Sequence, residues 1–182
     1  MKYKGGETQA VSDRECMFMK QESYVKVSEF VRRFRYGEAI VKYENSWLTR
    51  IVYVAFLVFL AILLWQRDER IVRVVLVCGV SFILVSVFRK VYDAERPYTL
   101  YDFEPIVKKN KTGHSMPSRH VFSGAIIAMA FLYVLPLCGA LIFVCTVLMC
   151  FGRVIAGVHF PKDVIVGFLA GVFCGIIGFY VI

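Results

Sequence analysis

The chain has 182 residues, 58% of them hydrophobic, a net charge of +8 and a mean hydropathy of +0.62. A soluble domain is nearer half apolar and distributes that content along its sequence, so the composition argues against a soluble globular protein. The apolar residues are concentrated beyond residue 46, in runs of about 20 residues, the length that spans a bilayer. We predict a polar N-terminal segment, residues 1–45, followed by a transmembrane domain, residues 46–182.

Two basic clusters carry most of the positive charge. Ten of the 22 Lys and Arg lie in residues 1–50, and seven lie in residues 89–119. Such clusters beside a bilayer bind anionic lipid headgroups or mark the cytoplasmic side, and for the N-terminal cluster we favour the second interpretation. We expect no signal peptide, because the first 45 residues lack an apolar core segment. The six cysteines form no CxxC pair and are interpreted as small hydrophobic residues.

The first predicted element is an amphipathic helix over residues 22–44, where apolar positions three and four residues apart are mixed with three arginines. The run from Val121 to Gly152 carries no charge and is too long for one span, and Pro136 with Gly139 marks a reversal inside it. The predicted spans are residues 47–65, 71–88, 120–136, 139–157 and 163–182. The predicted fold is an all-α, polytopic transmembrane helical bundle of about five spans, preceded by an amphipathic interfacial helix.

This span count brings the polar residues of four helix ends to one face of the membrane. The ends of the second and fourth spans lie there, and so do the starts of the third and fifth. Because a charged residue in hydrocarbon costs about 2.5–3.5 kcal/mol, such residues are rarely without a function. The residues gathered are Arg89, Arg96, Ser118, Arg119, His120, Arg153, His159 and Asp163.

These residue types indicate phosphoryl-transfer chemistry. Four arginines suit an anion with several oxygens, because a guanidinium binds phosphate through two parallel hydrogen bonds. Asp163 follows His159 by four residues and can orient that ring as a nucleophile. No acid stands at that spacing from His120, which suits the general acid. A zinc site is the alternative for two histidines and an aspartate, but four cations would repel the metal, so we expect no metal and no other cofactor.

Three sequence blocks resemble those of the type 2 phosphatidic acid phosphatase (PAP2) family, membrane enzymes that dephosphorylate lipid phosphates. The family's blocks are Lys, six residues, Arg-Pro; then Pro-Ser-Gly-His; then Ser-Arg, five residues, His, three residues, Asp. In this chain the corresponding blocks are Arg89–Pro97, Pro117–His120 and Gly152–Asp163. All three occur in order with matching internal spacing, and the resemblance covers residues 46–182.

The resemblance implies a role for each matched residue. By it, His159 forms a phosphohistidine, Asp163 orients that ring, and His120 protonates the leaving oxygen. The implied phosphate ligands are Arg89, Arg96, Ser118 and Arg153, and we add Arg119 as a fifth.

Three positions depart from the family pattern. Arg89 replaces a lysine and keeps the charge, whereas Arg119 replaces a glycine and Gly152 replaces a serine. The last two substitutions bear on substrate geometry more than on the reaction. A span is also missing relative to the usual six, and the helix predicted over 22–44 stands where the first would be.

We predict that the protein is a metal-independent lipid phosphatase of the PAP2 type. We expect it to lie in the bacterial cell membrane. Undecaprenyl diphosphate, phosphatidylglycerol phosphate and phosphatidic acid all fit as substrates. The alternatives are vanadate-dependent peroxidase-like chemistry and a non-catalytic phospholipid binder or transporter.

Expected partners are the lipid phosphate and anionic lipids of the bilayer, with no nucleic acid, and the oligomeric state is open. Five spans put the N-terminus and the site on one side; the basic N-terminus favours the cytoplasmic face, and the resemblance favours the outer face.

Overall fold

The structure, a computed structural model, describes residues 19–108 and 112–182, which form seven α-helices and a terminal π-helix with no strand among them. The helices are α1 (Gln21–Arg33), α2 (Gly37–Trp65), α3 (Arg70–Tyr92), α4 (Pro97–Leu100), α5 (Arg119–Val134), α6 (Pro136–Ile155) and α7 (Pro161–Ile176), and the π-helix covers Ile177–Val181.

Four of the helical segments in the described part of the chain are long and apolar enough to cross a membrane: α2, α3 extended through α4, α6, and α7 with its π-helix. A fifth, α5, is apolar but has 16 residues, a length of about 24 Å at 1.5 Å per residue. These five segments correspond to the five predicted spans. The prediction of an all-α membrane bundle is confirmed.

The outer faces of the spanning helices are apolar and uncovered. Leu57 is 64% exposed on α2, Leu84 is 62% exposed on α3, and Phe151 is 62% exposed on α6. Soluble monomers rarely leave so much contiguous apolar surface in water. In a bilayer the lipid tails cover this surface, which is why the sequence tolerates it.

The short helix α5 lies at the centre of the bundle. Every residue from Val121 to Phe131 is buried, and α5 contacts α3, α6 and α7. Close approach by α7 depends on its glycines, which recur every four residues on one face. A Cβ at Gly167 would lie 2.7 Å from the backbone oxygen of Ser118, and one at Gly171 would lie 2.7 Å from the Cβ of Ala125. The two helices therefore touch through backbone, with no room for a side chain between them.

The N-terminal part differs from the prediction of one helix over 22–44. α1 ends at Arg33, and α2 begins at Gly37 and continues without interruption to Trp65. The turn between them is tight, since a Cβ at Gly37 would lie 2.0 Å from the backbone oxygen of Val31. Residues 37–44 thus belong to the first spanning helix. α2 also runs through the boundary drawn at residues 45 and 46, and residues 1–18 of the predicted N-terminal segment lie outside the described residues.

Candidate active site

A cleft of about 950 Å³ opens where α3, α5 and the α6–α7 turn meet. Five lysines and arginines and three histidines line it, and no Asp or Glu is among its described lining residues. A cavity with this lining attracts anions and disfavours cations. The charged and imidazole side chains are Arg89, Lys90, Arg96, Lys108, His114, Arg119, His120 and His159.

His159 lies in the short turn between α6 and α7 and is 2% exposed. Its Nδ1 is 3.4 Å from Oδ2 of Asp163, which is fully buried in the first turn of α7. The same Oδ2 accepts a hydrogen bond of 3.0 Å from the backbone N–H of Phe160. Asp163 therefore favours the tautomer with the proton on Nδ1, which leaves the Nε2 lone pair of His159 for chemistry in the cleft.

The protonation state of His159 suits a nucleophile. Burial lowers the pKa of His159 to about 4, and the charges of Arg96 and Arg153 act in the same direction. Asp163 opposes them by favouring the protonated ring, but burial is the larger effect. The imidazole is therefore neutral near pH 7, and its lone pair is available.

Ser115 completes this group, and the sequence analysis missed it. Its Oγ donates to Asp163 Oδ2 at 2.5 Å and lies 3.2 Å from His159 Nδ1. The residue is fully buried, and its backbone N–H donates to the carbonyl of Ala94 at 2.8 Å. Its one signal in the sequence is its place two residues before the Pro117–His120 block. Ser115 thus holds the aspartate that in turn contacts the His159 ring.

The hydrogen bonds of Arg89 all go to backbone carbonyl oxygens of one loop. Its guanidinium donates to the carbonyl oxygen of Ser115 at 3.2 Å and to those of His114 and Pro117. The side chain is buried at the end of α3 and reaches the cleft wall. It fixes the loop that carries Ser115 onto α3. The Ser115 hydroxyl is thereby kept within hydrogen-bond distance of Asp163.

Arg96 has a similar double function. Its Nε donates to the backbone oxygen of Gly113 at 3.1 Å, and Nη1 donates to that of Val158 at 3.4 Å. It is buried, lines the cleft, and precedes the one-turn helix α4. Arg96 thus joins the loop after α3 to the segment that carries His159.

Arg153, near the end of α6, forms its hydrogen bonds with α2. It is 2% exposed, does not line the cleft, and donates to the backbone oxygen of Asn45 at 3.3 Å and to Thr49 Oγ1 at 2.9 Å. Both acceptors are on α2. Its charge still acts on His159, so the structure relates Arg153 to the site electrostatically, and direct contact with phosphate stays a prediction.

Gly152 occurs where the family pattern has a serine, and the structure explains the difference. A Cβ at this position would lie 1.7 Å from Oε2 of Glu44 and 2.3 Å from its carboxyl carbon. Both carboxylate oxygens of Glu44 are buried, and neither has a hydrogen-bond partner among the described residues. The carboxylate on α2 takes the space that a serine side chain would need.

Three consecutive residues begin α5. Ser118 is fully buried, its backbone N–H donates to the backbone oxygen of Asp163 at 2.8 Å, and its Oγ has no partner among the described residues. Arg119 is exposed and lies in the cleft, with its guanidinium carbon 5.8 Å from the ring centroid of Phe82. His120 follows and also lines the cleft.

Five of the eight predicted residues therefore line one cleft, and Asp163 and Ser118 lie directly behind it. Arg153 is the one whose hydrogen bonds run to another helix. The catalytic and phosphate-binding roles themselves stay predictions.

Tyr24 on α1 is a second residue that the sequence analysis missed. Its hydroxyl donates to the backbone oxygen of His159 at 3.2 Å, and the residue is 2% exposed. Its ring stacks on Phe103 at 5.2 Å and meets the edge of Phe160 at 6.1 Å. Burial, with a smaller effect of the Asp163 charge, raises the pKa of Tyr24, so the phenol stays protonated. α1 thereby supports the turn that carries His159.

Within residues 19–108 and 112–182, no group of three or more His, Cys, Asp or Glu side chains is arranged to hold a metal ion. The five cysteines in those ranges are free thiols, and Cys16 lies outside them.

The fold and the site together define an integral membrane protein with a cationic cleft at the ends of its spanning helices. The sequence model of the family described as PAP2 superfamily matches residues 70–182, more than half of the chain and all three sequence blocks. The chain belongs to the PAP2 superfamily. No curated protein matches it significantly.

Two solved structures resemble the chain in fold. LpxE from Aquifex aeolicus is 25% identical with a TM-score of 0.67, over 86% of this chain and 92% of that one. A transmembrane PAP2-type phosphatidylglycerolphosphate phosphatase from Bacillus subtilis is 22% identical with a TM-score of 0.65, over 87% and 83%. The second is by its name a transmembrane protein of the PAP2 type, in agreement with the resemblance found in the sequence blocks.

Proposed function

We propose that this protein is a membrane phosphatase that hydrolyses a lipid phosphate or diphosphate through a phosphohistidine intermediate. The observation that carries the proposal is the buried pair of His159 and Asp163, 3.4 Å apart, at the wall of a cleft lined by five cationic side chains. A neutral imidazole oriented by a carboxylate is a nucleophile. The surrounding cations stabilise the charge that develops on the transferred phosphoryl group.

The proposed reaction has two steps. Nε2 of His159 attacks phosphorus, the P–N bond forms as the bond from phosphorus to the leaving oxygen breaks, and His120 gives its proton to that oxygen. Water then attacks the phosphohistidine, passes a proton to His120 and releases inorganic phosphate, which regenerates His159. Microscopic reversibility explains why one residue, His120, serves as acid and then as base. No step requires a metal ion.

An apolar groove beside the cleft supports a lipid substrate. It has a volume of about 470 Å³ and lies between α2, α3 and α5, with Tyr53, Phe56 and Ile126 among its lining residues. Phe82 lines the groove, and Ser86, one turn further along α3, lines the cleft. A phosphate bound in the cleft would therefore have its hydrocarbon chain beside this groove, inside the bilayer.

The candidate substrates are undecaprenyl diphosphate, phosphatidylglycerol phosphate and phosphatidic acid. The second gains support from the similarity to the Bacillus subtilis phosphatase. Both similar structures come from bacteria, which supports a bacterial cell membrane as the location. The basic N-terminal cluster supports contact with anionic lipids of that membrane.

The test is phosphate release by the purified full chain in lipid–detergent micelles, across those three lipids, with and without EDTA. We expect release that EDTA does not diminish, and we expect His159→Ala to lower it by at least about 1000-fold, as loss of a nucleophile does. Trapping ³²P on His159 after acid-free quenching would identify the intermediate. Unchanged release by His159→Ala would refute the mechanism, and lipid binding without any release would favour a non-catalytic phospholipid binder.

A further inference from the structure

The cations of the cleft fall into two groups. Arg89 and Arg96 donate hydrogen bonds to backbone carbonyls, and Lys108 forms an ion pair of 2.6 Å with Glu104. Lys90 and Arg119 have no hydrogen bond and no ion pair with any residue in the described part of the chain. These two side chains keep their full capacity to bind an anion.

Arg119 is held in a position suited to such binding. Its guanidinium carbon lies 5.8 Å from the ring centroid of Phe82, a cation–π distance. Stacking on a ring uses the flat face of a guanidinium and leaves the N–H groups at its edge for a ligand. The residue also begins α5, where the helix dipole disfavours a positive charge. A bound anion would offset that cost.

The neighbour of Arg119 in the chain indicates which part of the substrate it meets. His120, the proposed general acid, must reach the oxygen that leaves phosphorus. Arg119 and His120 are adjacent at the start of α5 and both line the cleft, so we place Arg119 on the leaving-group side of the reaction. In phosphatidic acid that oxygen is bonded to carbon and the leaving group carries no anion, and in phosphatidylglycerol phosphate a glycerol unit separates it from the remaining phosphate. In a diphosphate the same oxygen is bonded to a second, charged phosphorus.

We propose that Arg119 is a specificity-determining residue that binds the phosphate retained on the lipid, and that the substrate is therefore a lipid diphosphate. This inference rests on the proposed function. His159 takes the terminal phosphoryl group, the bond from its phosphorus to the bridging oxygen breaks, and the lipid monophosphate leaves with a proton from His120. Water then releases inorganic phosphate. Arg119 stabilises the negative charge of the leaving lipid monophosphate throughout.

The charge of the cleft agrees with this substrate. A phosphate monoester carries about two negative charges at neutral pH, whereas five lysines and arginines line the cleft. The charges of Arg96 and Arg119 both act on Arg89, so the cations repel one another when no ligand is present. A diphosphate brings more negative charge than a monophosphate and reduces this repulsion further.

The test compares the same polyprenyl chain as monophosphate and as diphosphate, with wild-type protein, Arg119→Ala and Arg119→Lys. We expect Arg119→Ala to lower kcat/KM for the diphosphate by about 10- to 100-fold, the range for lost hydrogen bonds to a charged group. For the monophosphate we expect a change below about 3-fold. Arg119→Lys should recover part of the loss, because it keeps the charge without the planar fork.

The matched control is Arg73→Ala. Arg73 also lies over an aromatic ring, 6.0 Å from the centroid of Tyr133, but at the other end of α3 from Arg89, about 24 Å away along the helix. We expect it to leave both substrates unaffected.

The inference fails if Arg119→Ala unfolds at the wild-type temperature and either lowers kcat/KM equally for the two lipids or lowers it for neither. If Arg119→Ala does not fold, the effects of Arg119→Lys on kcat/KM for the diphosphate and for the monophosphate are compared instead. Wild-type protein that releases phosphate from neither polyprenyl lipid overturns the inference, and the proposed function fails as well only if phosphatidylglycerol phosphate and phosphatidic acid are not hydrolysed either.

Discussion

The hydroxyl of Tyr24 donates a hydrogen bond of 3.2 Å to the backbone oxygen of His159, across 135 positions of the chain. The first described helix is thereby joined to the turn that carries the proposed nucleophile. The phenol ring lies among Tyr101, Phe103 and Phe160, and it is almost completely buried. α1 is thus part of the support of the site.

Replacing Tyr24 with phenylalanine tests this support. The ring packing stays, and the carbonyl of His159 loses its donor, so we expect the free energy of unfolding to fall by about 1–3 kcal/mol and kcat to fall several-fold. Thermal unfolding and phosphate release measure the two effects. Tyr36→Phe is the matched control, because Tyr36 is 63% exposed; an equal effect of the two changes would contradict the role of Tyr24.

Ser115→Ala should weaken catalysis without unfolding the protein. The change removes the hydroxyl that donates to Asp163 Oδ2 at 2.5 Å, so the carboxylate is held less firmly and His159 is oriented less well. We expect kcat to fall by about 10-fold with KM nearly unchanged, as for loss of one hydrogen bond to a charged group. Steady-state kinetics separate the two parameters. Ser81→Ala, a buried serine within α3, should have no such effect, and a rise in KM alone for Ser115→Ala would argue against positioning.

Gly152→Ser restores the residue of the family pattern, yet we expect it to destabilise this protein. The new side chain would collide with the Glu44 carboxylate, the end of a flexible and half-buried side chain that has to turn away, so we expect a loss of about 1 kcal/mol, the lower end of the cost of overpacking. Adding Glu44→Ala should recover most of the loss, which gives a favourable coupling energy in a double-mutant cycle. Gly79→Ser is the control, because a Cβ at Gly79 has nothing within 4 Å. Purely additive effects would show that Glu44 does not occupy the serine position.

The pH dependence of stability should report on His159. Its pKa is lowered to about 4 by burial in the folded protein, against about 6.5 for an unperturbed histidine. The unfolded chain therefore binds the proton first as pH falls, and the stability that neutral His159 contributes is complete above about pH 6.5. It is lost as pH falls from there to about 4, by up to about 1.4 kcal/mol per pH unit. His159→Gln should lack this component in thermal unfolding between pH 7 and 4.5, and identical pH profiles would contradict it.

The same pKa sets an expectation for catalysis. A nucleophile that is neutral above about pH 4 puts the acidic limb of kcat/KM for the free enzyme well below the pH at which ordinary histidines titrate. If the acidic limb of the kcat/KM profile lies near pH 6.5, and substitution of no other residue removes it, then His159 is not desolvated as described.

How far the sequence could predict this molecule depended on the kind of signal. The spans were predicted from long apolar runs. The reversal was predicted from Pro136, which is the first residue of α6 in the structure. His159 and Asp163 were found because four residues in a turn and helix start bring a ring and a carboxylate together. Ser115 and Tyr24 carry no such pattern, since one serine or tyrosine in a polar segment is common, and only the folded chain brings them to His159.

The direction of Arg153 illustrates the same limit. Its spacing from His159 matches the sequence block, but its hydrogen bonds depend on Asn45 and Thr49, about 100 residues earlier. Spacing within one motif cannot predict which neighbouring helix a long side chain will meet. The break at residues 34–36 was missed for a related reason, because the apolar spacing of α1 continues into the exposed start of α2.

The contact of α7 with Ser118 has a consequence for the timing of catalysis. His120, the proposed acid, lies in the first turn of α5, and His159, the proposed nucleophile, precedes α7. The two helices meet backbone to backbone at Gly167, and the amide of Ser118 donates to the carbonyl of Asp163 at 2.8 Å. The separation of the His120 backbone from the His159 backbone is therefore set by contacts between main-chain atoms. Fluctuations of the surrounding lipid would therefore move the starts of α5 and α7 as one body, and both steps of the proposed reaction would use the same backbone framework.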